Sequence, residues 1–107
     1  MVPTEERDRA REIAIRTLSG QYDPLLACID LDALRSHLED VPADVLHTFD
    51  GIASEVDELP LGSQRRYWAP EALAIKDVEA ARYRDLIRDH VMEQLRRLLA
   101  ALDGPGS

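Results

Sequence analysis

The sequence predicts an all-α protein: a compact bundle of four to six helices with a long C-terminal helix. Three observations carry that expectation. Ala, Leu, Arg and Glu, all good helix formers, dominate the 107 residues, and β-branched runs are absent. Apolar residues recur at i, i+3, i+4 and i+7 through most of the chain. Pro24, Pro42 and Pro70 each precede such a segment, where proline suits the first helical position. A chain of this length forms one domain, assigned to residues 1–103, with a flexible tail at 104–107. Aromatics make up only 5% of it, so aliphatic side chains must fill the core.

The first helix is expected from Thr4 to Ser19. Thr4 is its cap, Glu5 and Glu6 lie at the positive dipole end, and Gly20 is its stop. Ala10, Ile13, Ala14, Thr17 and Leu18 share one face. The second opens on Asp23 as cap and Pro24 as first residue. Its apolar residues surround the axis, which favours a break near Asp30 and a second short helix through His37. The third runs from Pro42 to Glu58. Val45, Phe49, Ile52 and Val56 form its buried stripe, and Asp44, Asp50, Asp57 and Glu58 fall on the other side. Leu59-Pro60-Leu61-Gly62 reads as a turn. A short helix then starts at Pro70, with Trp68 and Leu73 spaced as a hydrophobic staple. The last helix is expected from Asp77 or Val78 to Leu102. Its stripe is Ala80, Tyr83, Ile87, Val91, Leu95, Leu98 and Leu102, widened by Ala81, Met92 and Leu99.

Charge is distributed unevenly. Residues 17–64 carry ten acids and one base, Arg35, so nearly all of the net charge of −8 arises there. Such a segment repels nucleic acid and attracts basic proteins or cations. The arginines of the last helix are interleaved with acids and point in several directions, which also argues against a nucleic-acid surface. No stretch approaches the length of apolar chain needed to span a membrane, and the N-terminus has no apolar signal core. A single cysteine, Cys28, cannot form an internal disulfide, which suits the cytoplasm. Arginine outnumbers lysine twelve to one, the mark of a GC-rich bacterial genome.

The stretch Ser54-Glu55-Val56-Asp57-Glu58-Leu59-Pro60-Leu61-Gly62, followed by Arg65 or Arg66, Trp68, Glu71-Ala72-Leu73 and Lys76-Asp77, resembles a family of small bacterial proteins of unknown function. In that family an acidic E-T-D precedes L-P-x-G, then R, W and x-E-A-L. Residues from Ala10 to Leu31 also resemble its first two helices. Val56 stands where the family has Thr, which removes a hydroxyl from the motif. The resemblance implies a compact helical fold and brings no catalytic residue and no ligand.

Candidate sites are few. Glu55, Arg65, Arg66 and Trp68, with Asp57 and Glu58, form the densest polar cluster. It reads either as a small-ligand or metal pocket or, more simply, as ion pairs that pin a turn. Asp44, His47 and Asp50 follow one another at i, i+3 and i+6. A di-metal bundle would need a second acid-x-x-His unit, which the chain lacks, so a hydrated acidic face is the plainer reading and no metal or cofactor is expected. No catalytic residues are assigned: Cys28 lacks a neighbouring base, and there is no nucleophile elbow or phosphate-binding loop. The sequence therefore favours a non-enzymatic interaction protein. Its acidic helix face, Asp44, His47, Asp50, Asp57 and Glu58, would dock a basic protein, as an immunity or inhibitor protein does. The alternatives are a structural homo-oligomer, motivated by Leu86 and the Met92–Leu99 edge, and a metal- or small-ligand-binding protein.

Overall fold

A computed structural model describes residues 5–57, 59 and 62–103, and the side chains of all of these except 62–64. The expected cap at Thr4, the acid Glu58 and the tail 104–107 lie outside the described residues. The chain is an all-helical bundle: α1 (Glu5–Leu18), α2 (Pro24–Ala33), α3 (Ala43–Glu55) and α4 (Pro70–Asp103), with 3₁₀ turns at Arg35–His37 and Gly62–Tyr67. Among the described residues no helix is long and apolar enough to cross a membrane.

α1 buries Ala10, Ile13, Ala14 and Thr17, the expected face. The Thr17 hydroxyl, fully buried, donates to the Ile13 carbonyl one turn back at 2.6 Å. Gly20 ends the helix at φ +83°. Gln21 N–H bonds the Arg16 carbonyl and Gly20 N–H the Thr17 carbonyl, the pairing of a Schellman cap. That φ is the reason for glycine here.

α2 starts as expected. Asp23 Oδ1 accepts the Leu25 N–H at 2.9 Å, and Pro24 is the first helical residue. The expected break at Asp30 does not occur; the helix runs to Ala33 and ends at Leu34. An all-round apolar helix is stable here because it is covered on several sides, packing on α1, α3 and α4. Leu25, Ala27, Cys28 and Leu31 are all fully buried. Asp30 caps nothing; its carboxylate accepts a hydrogen bond from the Tyr22 hydroxyl.

Leu38 and Val41 lead from the 3₁₀ turn into the core, and α3 adds Val45, Phe49 and Ile52, with Val56 just after its end. Pro42 is the residue before the helix, not its first turn. α3 lies chiefly against α2, and α1 chiefly against α4.

The two C-terminal helices expected from the sequence are one, of 34 residues. No Gly or Pro interrupts positions 71–103, so nothing stops a helix begun at Pro70. At 1.5 Å per residue it is about 51 Å long, and the molecule's longest dimension is 51 Å. α4 therefore outreaches the rest of the bundle. The radius of gyration, 14.6 Å, exceeds the about 13 Å of an equally long compact chain. The core takes Ala80, Val91, Leu95, Leu98 and Leu102 from α4, whereas no residue of 70–79 is buried. Met92 and Leu99 pack against the core, so that edge is used inside the molecule. Leu86 stands on the opposite side, 79% exposed.

Candidate functional site

The acidic segment is not left unpaired. Arg84 of α4 grips Asp23 through two hydrogen bonds, Nε to Oδ1 at 2.9 Å and Nη2 to Oδ2 at 2.8 Å. Arg97, also of α4, takes both oxygens of Asp44. Arg7 of α1 takes both oxygens of Asp40, at 2.7 and 3.0 Å. Arg35 lies 3.4 Å from Asp32 and 3.5 Å from Asp50. The expectation of a hydrated acidic face is thus corrected: five of the nine described acids in residues 17–64 meet an arginine. The physical cause is reach. Arg84 and Arg97 lie beside the buried stripe of α4, and a guanidinium on a long stem bridges to the next helix without entering the core. Asp44 is still on the surface, its side chain 67% exposed. Arg7 holds the Asp40 carboxyl below its usual range and Arg97 does the same for Asp44, in each case chiefly by hydrogen bonding. Both therefore favour the folded state above about pH 4, and that contribution fades as pH falls through their lowered values.

Asp32 behaves oppositely. It faces Asp50 across the α2–α3 contact. Its Oδ1 is enclosed and accepts no hydrogen bond, with Arg35 supplying charge from the edge. Burial first, and then the Asp50 charge, push its carboxyl above the usual range. A raised carboxylate value means that the ionised form opposes folding at neutral pH, and that protonation relieves this as pH falls. Asp32→Asn is therefore expected to raise the melting temperature at pH 7. The gain should shrink steadily toward pH 4; melting curves across that range that leave the difference constant or growing would contradict it.

What remains outward on α3 is a line of His47, Gly51 and Ser54, three exposed residues spaced i, i+4, i+7. Asp50 and Glu55 flank it, and Asp57 follows the helix end. Glu55 and Asp57 are exposed and meet no cation among the described residues. Gly51 was not singled out by the sequence as part of any surface. A Cβ added there would meet nothing within 4 Å. So neither a close neighbour nor an unusual φ explains a glycine in mid-helix, where it weakens the helix by about 0.8–1.0 kcal/mol relative to alanine. A lone glycine inside a helical pattern is the one sequence signal that could have marked this face. The candidate site is consequently His47, Gly51, Ser54, Glu55 and Asp57, with Asp44 and Asp50 as partly neutralised edges.

The expected polar cluster of Glu55, Arg65, Arg66 and Trp68 is not assembled as one site. Arg65 turns to Asp77 of α4, with Nη2 to Oδ2 at 3.0 Å. Arg66 lies over the Tyr67 ring at 5.0 Å and donates to its hydroxyl at 2.9 Å. Trp68 is half-buried beside the start of α4. The charge of Glu55, together with burial as the larger cause, raises the phenol of Tyr83. Asp77 was missed because the sequence reading put a helix start at that position instead of mid-helix.

Among the described residues no three His, Cys, Asp or Glu side chains are grouped to hold a metal ion. Cys28 is buried, and desolvation, aided by the Asp23 charge, lifts its thiol to about 12, so it is not a nucleophile at neutral pH. An open pocket of ≈ 360 Å³ lies between the α1–α2 loop and α4. The arginines at its wall are engaged, Arg84 with Asp23 and Arg88 with Asp85 at 3.1 Å. No protein-family model, curated protein or solved structure matches the chain.

Proposed function

We propose that this chain is a non-enzymatic protein-interaction module whose α3 surface docks a basic protein partner, in the manner of a small inhibitor or immunity protein acting in the cytoplasm. The observation that carries this reading is Gly51. It keeps the centre of an exposed helix face flat at a cost in helix stability, and no described residue lies within 4 Å of where its Cβ would stand. A flat centre rimmed by Glu55, Asp57 and Asp50 suits close approach of a cationic surface, with long-range attraction speeding the encounter. A net charge of −8 disfavours nucleic acid as the partner.

The experiment is affinity capture with the full chain at low and high salt, followed by binding measurements with the purified captured protein. A basic partner is expected, released by salt because the attraction is screened. The Glu55→Lys/Asp57→Lys variant should lose it, while Glu5→Lys/Asp8→Lys, an equal charge change on α1, should keep it. Capture indifferent to salt and to the Glu55/Asp57 reversal would refute the reading. Gly51→Ala provides a separate check. It is expected to stabilise the isolated protein by about 0.5–1 kcal/mol in urea unfolding, yet to weaken the captured complex.

A further inference from the structure

Among the described residues, three of the five large apolar side chains that stand exposed lie on one side of α4: Ile75 (64%), Val78 (52%) and Leu86 (79%). With Arg82 they follow the order i, i+3, i+7, i+11, a single stripe on the helix. The stripe points away from the buried line Ala80–Val91–Leu98, so none of the described elements covers it. Much of it belongs to the first turns of α4, which outreach the packed core. Arg82 lies in the middle of the stripe, exposed, and meets no carboxylate among the described residues. Glu79, one turn away on the same side, is exposed and among the described residues reaches only Lys76, at 3.2 Å.

We infer that this stripe is the contact between two copies of the chain, whose α4 helices cross antiparallel about a two-fold axis between residues 80 and 81. Charge selects that arrangement and register. In a parallel, in-register pair Glu71, Glu79, Arg82, Asp89 and Glu93 would each face their own like charge, which is unfavourable. About the two-fold axis, residue n lies opposite residue 161 − n. Ile75 then meets Leu86 of the second copy, and Arg82 meets Glu79 of the second copy, each contact occurring twice as an isologous interface requires. Val78 packs near the axis against the aliphatic stem of the second copy's Arg82. In each copy the packed core lies on the opposite side of α4 from the stripe. Three aliphatic side chains per copy make a small contact, below the ~1,200 Å² of standard interfaces, so the dimer forms in a concentration-dependent way. This surface is separate from the α3 face, and its test does not depend on a partner protein.

Sedimentation equilibrium of the full chain from micromolar to submillimolar concentration reads the association directly. A monomer–dimer equilibrium is expected. Leu86→Glu should weaken it at least tenfold with an unchanged circular dichroism spectrum, since Leu86 lies outside the core. Glu79→Arg alone should weaken it by placing like charges together, and Glu79→Arg/Arg82→Glu should restore it. Orientation is read by mixing Ile75→Cys chains with Leu86→Cys chains under mild oxidation: the mixed disulfide should form, and Ile75→Cys alone should not cross-link, because the two copies of position 75 are about 16 Å apart along the axis. A monomer throughout, a dimer indifferent to Leu86→Glu, failure of the charge swap to restore association, or preferential Ile75–Ile75 cross-linking would each overturn the inference.

Discussion

Phe49→Ala is expected to destabilise the protein by about 3–5 kcal/mol, the usual range for emptying a buried aromatic site. Among the described residues Phe49 is the largest fully buried side chain, and it comes from the middle of α3, where it joins Leu25, Leu31, Leu38 and Leu95 in one core. A domain of this size has only about 5–15 kcal/mol in all, so the loss is a large share. The melting temperature should fall by roughly 15–30 °C. Leu86→Ala, on the open side of α4, should change stability by less than about 0.5 kcal/mol in dilute protein. Denaturant unfolding of the two variants measures the contrast. A Phe49→Ala cost near zero would mean that α3 is not packed as described.

The second large effect is expected at Asp23, which serves two structures at once. One oxygen caps α2 through the Leu25 N–H, and both hold Arg84 of α4. The two side chains are 23% and 25% exposed, which shields their attraction from water more than at the other ion pairs. Removing the carboxylate loses the cap, about 1 kcal/mol, and leaves Arg84 without its charged partner, a further 1–2 kcal/mol or so. Asp23→Ala should therefore cost about 2–3 kcal/mol in urea unfolding. Asp23→Asn keeps an oxygen for the cap and should cost clearly less. Equal costs for the two substitutions would show that the cap contributes nothing.

Features written in local spacing were legible before the structure. The Ala10–Ile13–Ala14–Thr17 face, the Asp23-Pro24 start and the Val45–Phe49–Ile52 stripe all follow from helical periodicity and capping chemistry. Asp30 looked like a helix start because capping propensity is read without knowing what surrounds the helix. Once α2 is covered on several sides, its all-round apolar surface needs no break. Residues 70–103 looked like two helices, the second starting at Asp77 or Val78, but with no Gly or Pro between them nothing interrupts the helix begun at Pro70. The pairing of the acids was out of reach. Asp23 and Arg84 are 61 residues apart, and Asp44 and Arg97 are 53 apart, so each pair exists only after the helices have packed. The candidate site narrowed for the same reason: pairing removed part of the acidic face from view, and an unremarked glycine became its centre.

A basic peptide of defined length, such as an octa-arginine, offers the most direct test of the α3 surface, with isotope-labelled protein observed by NMR as the peptide is added. Under moderate salt the first amide shifts are expected at His47, Gly51, Ser54, Glu55 and Asp57, and the Glu55→Lys/Asp57→Lys variant should abolish them. Shifts that begin at Glu71, Asp89 or Glu93 of α4, or that rise evenly over every exposed carboxylate, would contradict the assignment of docking to α3.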